Sequence, residues 1–179
     1  HGGGFCIGDL ESYDRLMRYL AHRAQCAVLS VDYRLAPEQP FPAAIEDCVD
    51  AFNWLNDHAD ELGVDPARMS LAGDSAGAKL TLVVAQAQIE SDGPLPSMLF
   101  ALYPGTWHGH ESASLELFAK DLFLTRQAID WFSETFAGHH DDPNDPRLSP
   151  ILFERLAQMP PTYLATAGFD PLRDEGDLY

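Results

Sequence analysis

The residues of this chain best suited to chemistry are Ser75, Asp170 and a run of glycines at the amino end. Serine is a weak nucleophile until a base removes its proton, and a carboxylate commonly orients that base. Ser75 stands in Gly73-Asp74-Ser75-Ala76-Gly77, preceded by an apolar alternation at Met69 and Leu71. The apolar positions that follow it, Leu80, Val83, Val84 and Ala87, take helical spacing. The pattern predicts a strand, a sharp turn and a helix with one serine at the apex, a nucleophile elbow. Small residues at 73, 76 and 77 allow neighbouring backbone to pass close to a turn whose serine adopts positive φ. Asp170, followed by Pro171, falls in a turn after an apolar strand and is the best orienter. The plainer readings are a tight turn that happens to contain serine and an aspartate bonding its own loop.

His1-Gly2-Gly3-Gly4-Phe5 is too dense in glycine for a strand or helix and offers amides that can approach a ligand closely. The amides of Gly3, Gly4 and Ala76 are expected to converge on the oxyanion formed when Ser75 attacks a carbonyl, a contribution of roughly 3–4 kcal/mol per donor. His1 is expected to brace this loop through its ring and not to act as base. His108 and His110 make half of a metal site without a well-spaced third ligand. His139 and His140 precede Asp170 in a loop, and His22 and His58 lie on helices without a constellation.

Strands and helices must alternate to position these groups. Tyr13 to Ala24 reads as an amphipathic helix capped by Ser12 or Asp14, and Cys26 to Val31 as a buried strand. The prolines at 37, 40 and 42 stop any regular element there. A helix from Ala43 to Leu62 would bury Ile45, Val49, Phe52, Trp54 and Leu55 and end at Gly63. A turn at 65–68 leads into the strand before Ser75, and the helix after it runs to Ile89. Met98 to Tyr103 is the next strand. Residues 105–159 read as an excursion above the sheet, with a helix from Leu124 to Phe136 and a turn-rich stretch at 141–146. The apolar set of that helix, Ile129, Trp131, Phe132 and Phe136, is read as packing. Thr162 to Ala167 returns to strand, and a helix starts at Arg173 or Asp174. This alternation implies an α/β fold, a mostly parallel sheet with helices on both faces and the site at the carboxyl ends of its strands.

Length and a hydrophobic content of 46% suit one domain with a sizeable core. A net charge of -17, from 28 acidic and 11 basic residues, argues against nucleic acid and anionic membranes as partners. Cys6, Cys26 and Cys48 are an odd number with no close pair, which fits a reducing, cytoplasmic setting. No apolar run is long enough for integral membrane contact.

Together these segments resemble the hormone-sensitive-lipase-like carboxylesterases of the α/β-hydrolase fold. His1-Gly2-Gly3-Gly4 is similar to that family's oxyanion loop, and Gly73 to Gly77 to its elbow. Asp32-Tyr33-Arg34-Leu35-Ala36-Pro37-Glu38 is similar to its segment after the following strand. Asp170-Pro171-Leu172 with Asp174-Glu175-Gly176 is similar to the loop bearing its catalytic aspartate. Ala78, where the family usually has glycine, and Gly105-Thr106-Trp107-His108 depart from the pattern. The resemblance implies hydrolysis of short- to medium-chain acyl esters by water through an acyl-enzyme, with no metal or organic cofactor. It also implies a base histidine beyond Tyr179 and a strand before residue 1, between the Cys26 to Val31 strand and the Ser75 strand. Residues 1–179 are therefore expected to be an internal fragment of the catalytic domain, lacking both ends, molten and inactive alone. A non-catalytic small-molecule receptor on the same scaffold is the alternative.

Overall fold

The computed structural model describes residues 1–140 and 142–179. Asp141, the first residue of the turn-rich stretch read at 141–146, lies outside the described residues.

Three short strands, β1 (Ser70–Asp74), β2 (Met98–Leu102) and β3 (Thr162–Ala165), form a parallel sheet in the order β1-β2-β3. In its register Gly73 lies opposite Ala101, and Phe100 opposite Tyr163. The helices are α1 (Leu10–Ala24), α2 (Ala43–Asp57), α3 (Ala59–Leu62), α4 (Ala76–Glu90), α5 (Ala113–Phe118), α6 (Arg126–Ala137) and α7 (Arg173–Leu178), and they flank the sheet on both faces.

Helix α4 is the hub because its sequence is apolar on nearly every side, and such a helix must be enclosed. One side packs on β1 and β2, where Leu99 and Ala101 meet Ala78, Leu82 and Ala85. The other side packs on α2, through Leu80 and Val83 against Ile45 and through Val84 against Phe52. At the opposite face of the sheet, Phe100 and Tyr163 remain 38% and 54% exposed.

Several sequence-based expectations need correction. Residues 26–31 run without strand pairing, and 26–30 are exposed. No described strand lies beside them, so their apolar pattern has neither a ladder to join nor a face to fill. Helix 43–62 breaks at His58 into α2 and α3, although Gly63 ends it in the left-handed region as expected, with φ of 66°. Trp54 is 47% exposed and stacks on His58 instead of entering the core. Helix α1 starts earlier than read and is capped by Asp9, whose carboxylate accepts the Ser12 amide at 2.7 Å. Ser12 therefore donates to the cap and Asp14 lies inside the helix. In the excursion, α5 went unread, and of the aromatics on α6 Phe136 is buried whereas Trp131 is half exposed. The sheet expected to suffer from a missing central strand is formed here by β1, β2 and β3 paired directly with one another. The three strands are one another's neighbours and need nothing from 26–31 for their pairing, and α4 seals their core side.

Candidate active site

Strand β1 delivers Asp74 and helix α4 starts at Ala76, leaving Ser75 at the turn with φ 52° and ψ -116°. A serine pays for that backbone in strain, and it is held there by main-chain bonds. Its N–H donates to Leu102 O at 2.8 Å, and its carbonyl accepts Lys79 N at 3.1 Å. Glycine is obligatory on both sides. A Cβ at Gly73 would overlap the backbone of Gly77, and one at Gly77 would come within 2.8 Å of His1 O. The glycine-rich loop therefore rests directly on the elbow.

Within that loop Gly3 O accepts the amides of Cys6 and Ile7, both at 3.0 Å, which closes a tight turn with φ of 118° at Gly3 and 58° at Gly4. Among the described residues the N–H groups of Gly3, Gly4 and Ala76 have no hydrogen-bond partner. That of Ala76 belongs to the unpaired amides at the start of α4, where the helix dipole favours negative charge. A Cβ at Gly4 would overlap the ring of Phe132, so this α6 aromatic walls the loop. His1 Nδ1 lies 2.7 Å from Gly2 O, and since a carbonyl only accepts, the ring proton is on Nδ1. Tyr33 completes the brace. Its hydroxyl donates to His1 O at 2.5 Å and its ring stacks on the imidazole at a centroid distance of 4.3 Å. Burial, above all, raises the Tyr33 hydroxyl pKa far beyond the usual phenol range.

A second brace comes from the elbow itself. Gly2 N lies 3.1 Å from Asp74 Oδ1 and 2.9 Å from the Tyr13 hydroxyl, which in turn donates to Asp74 Oδ2 at 2.9 Å.

Asp170 follows β3, so it and Ser75 both leave the carboxyl ends of strands in one sheet, with β2 between them. Its Oδ1 accepts the Leu172 amide at 2.9 Å. Burial pushes its carboxyl pKa up, and the Leu172 amide works in the opposite direction. Tyr103, just past β2 with φ of 42°, has its hydroxyl pushed up by burial and then by the charges of Asp74 and Asp170. Among the described residues no hydrogen bond joins Ser75 to Asp170, and no histidine is bonded to either. His108 donates its amide to Ser149 at 3.0 Å, His110 stacks on Trp107 at 3.9 Å, and His140 Nε2 lies 3.1 Å from the Asp145 carboxylate. Among the described residues no group of three or more histidine, cysteine or carboxylate side chains is arranged to hold a metal ion.

The loop carrying Asp170 is fastened through Glu175 and Asp174, which the sequence places in the aspartate loop without a bonding role, and through Ser114. Glu175 Oε1 accepts the amides of Thr106 at 2.6 Å and Trp107 at 3.3 Å, and Glu175 O accepts the Thr106 hydroxyl at 2.8 Å. Ser114 donates through its hydroxyl to Pro171 O and through its amide to Asp174 Oδ2, each at 2.7 Å. Burial drives the Glu175 carboxyl up and the Lys79 ammonium down to about 8, each charge partly offsetting the other's shift. Lys79 Nζ donates to Leu148 O at 3.0 Å. The available signal was the charge pattern itself: a lysine on the otherwise apolar α4 demands a buried acceptor.

A parallel α/β sheet that presents a strained serine between strand and helix, with a glycine-rich loop packed against that turn, has the architecture of a nucleophile elbow. A family model described as alpha/beta hydrolase fold matches residues 1–179, and the chain belongs to that family. Against the expectation of a fragment lacking both ends, the family match runs from residue 1 to residue 179. The chain is 48% identical to the carboxylic ester hydrolase LipN and 44% identical to the esterase LipI, both of Mycobacterium tuberculosis. The alignments cover 100% of this chain and 49% and 56% of those proteins, so the chain spans about half the length of the curated relatives it matches. A hyperthermophilic esterase from Pyrobaculum calidifontis superposes with a TM-score of 0.95 at 40% identity, over 100% of this chain and 58% of that one. Among the described residues no helix is long and apolar enough to cross a membrane.

Proposed function

We propose that this protein is a serine carboxylester hydrolase acting on short- to medium-chain acyl esters, with Ser75 as nucleophile and water as co-substrate. The observation that carries the reading is Ser75 at φ 52° on the elbow, with the start of the glycine-rich loop packed against Gly77 and the amides of Gly3, Gly4 and Ala76 unpartnered among the described residues. Ser75 Oγ attacks the acyl carbon as its proton passes to a histidine base, and the carbonyl oxygen, now anionic, takes bonds from those amides. The carbon–oxygen bond to the alcohol breaks, the histidine returns the proton to the departing oxygen, and an acyl-serine remains. Water, deprotonated by the same base, releases the acid and restores Ser75. Asp170 orients the base, and among the described residues none of the seven histidines is bonded to Ser75 or Asp170. His1 supports the loop. The excursion at 105–159 forms the cap side of the site, and the Phe132 ring over Gly4 bounds the acyl group. The relatives named carboxylic ester hydrolase and esterase support the reaction class. The cysteines, all free, support a cytoplasmic setting.

The test is covalent labelling of the full chain by a fluorophosphonate and hydrolysis of p-nitrophenyl esters of graded acyl length. Labelling at Ser75 and its loss in Ser75→Ala, with turnover falling at least a thousandfold, are expected. A folded wild-type protein that binds a small ester but neither labels nor turns over would point to a receptor and end the esterase reading.

A further inference from the structure

We propose that Asp74 and Tyr13 are positioning residues of the oxyanion hole, and that through them helix α1 controls the reaction; this inference rests on the esterase reading. Asp74 immediately precedes Ser75, so one residue pair couples the nucleophile to the loop that must receive the charge. Its carboxylate accepts the Gly2 amide on Oδ1 and the Tyr13 hydroxyl on Oδ2, while that hydroxyl also lies within 2.9 Å of the Gly2 amide. The three groups form a closed triangle linking β1, α1 and the glycine-rich loop. A Cβ at Gly2 would overlap Asp74 Oδ2, so a side chain there would have to push the carboxylate out of the triangle.

The triangle has a purpose that packing does not serve. The Gly3 and Gly4 backbone adopts left-handed conformations, which glycine enters and leaves freely, and the bonds within the loop, from Cys6 and Ile7 to Gly3 O, leave its Gly2 end to be held from outside. Oxyanion donors act only if they are aimed before the charge appears. His1 and Tyr33 hold the start of the loop from one side, and Asp74 and Tyr13 hold its Gly2 amide from the other. Tyr13 lies on a helix without a buried residue, and among the described residues it makes the only hydrogen bonds from α1 to a distant part of the chain. Its phenol is thus the route by which the placement of α1 reaches Gly3 and Gly4.

The experiment compares wild type with Tyr13→Phe, Asp74→Asn and Asp74→Ala in the full chain. For Tyr13→Phe kcat should fall about tenfold and for Asp74→Ala about a hundredfold, with KM within about twofold of wild type. Asp74→Asn, which keeps one acceptor oxygen, should lie between wild type and Asp74→Ala. Affinity for a trifluoromethyl ketone, which forms an oxyanion on Ser75, should fall in step with kcat/KM. Hydrogen exchange at residues 1–8 should quicken in each variant while exchange in α4 stays unchanged. Unaltered kcat and loop exchange in a folded Tyr13→Phe, or a rise in KM at constant kcat, would overturn the proposal. If wild type itself neither labels nor turns over, the esterase reading fails, and faster loop exchange alone then decides whether Asp74 and Tyr13 position the loop. Should Asp74→Ala not fold, Tyr13→Phe and Asp74→Asn decide by the same measurements.

Discussion

At the scale of single residues, the strongest tension in the molecule is a buried amine set in α4 a turn beyond the nucleophile. Lys79 is buried, hydrogen-bonded to one carbonyl, and held near pKa 8 against the ordinary 10.5. Below about pH 8 the folded and unfolded chains both carry this proton, and the cost of burying the charge is fully present. Between about 8 and 10.5 the folded state sheds the proton while the unfolded chain keeps it, so stability rises with pH across that window. Relative to Lys79→Met, wild type should therefore gain on the order of 3 kcal/mol between pH 7.5 and pH 10.5, measured by urea unfolding at each pH. A difference between the two proteins that is flat with pH would refute this. Residues of this kind divide sharply by how much sequence reveals them. Ser75, Gly73 and Gly77 were legible because an elbow forces small residues into adjacent positions. Asp74, Tyr13, Glu175 and Ser114 were not read as site supports, because bonds such as Tyr13 to Asp74 and Thr106 to Glu175 join residues 61 and 69 positions apart and leave no periodic trace.

Elements were legible where burial enforces a period and misread where it does not. Helix α4 is enclosed and strands β1 and β2 pack against it, and their apolar patterns placed them almost to the residue. The stretch 26–31 has the composition of a strand, yet pairing is a property of two segments, and no described neighbour takes part. Helix α1 shows the converse, since it forms without a buried residue and owes its start to local chemistry. Asp9 supplies that start by accepting the Ser12 amide. Replacing Asp9 with alanine should weaken the start of α1. Because α1 contributes no buried side chain, hydrogen exchange in 10–24 should accelerate with little change in the global unfolding midpoint. An equal shift of both would show that α1 is integral to the cooperative core.

The whole molecule sorts into parts of unequal durability. The sheet, α4 and α2 share continuous apolar clusters, while α1 presents Leu16, Tyr19 and Leu20 to solvent at 47%, 57% and 40% exposure. A charge of -17 adds self-repulsion to the whole, which weakens first whatever has least burial to oppose it. Such regions open locally at temperatures where the core remains closed. For α1 that opening is not confined to the surface, because the phenol of Tyr13 leaves Gly2 and Asp74 when the helix does. On warming, the proposed esterase activity should then fade reversibly several degrees below the midpoint seen by circular dichroism, whereas loss of both at one temperature would contradict it. A helix that contributes almost nothing to the core would in this way act as the thermostat of the enzyme, setting the temperature at which catalysis stops well before the fold is lost.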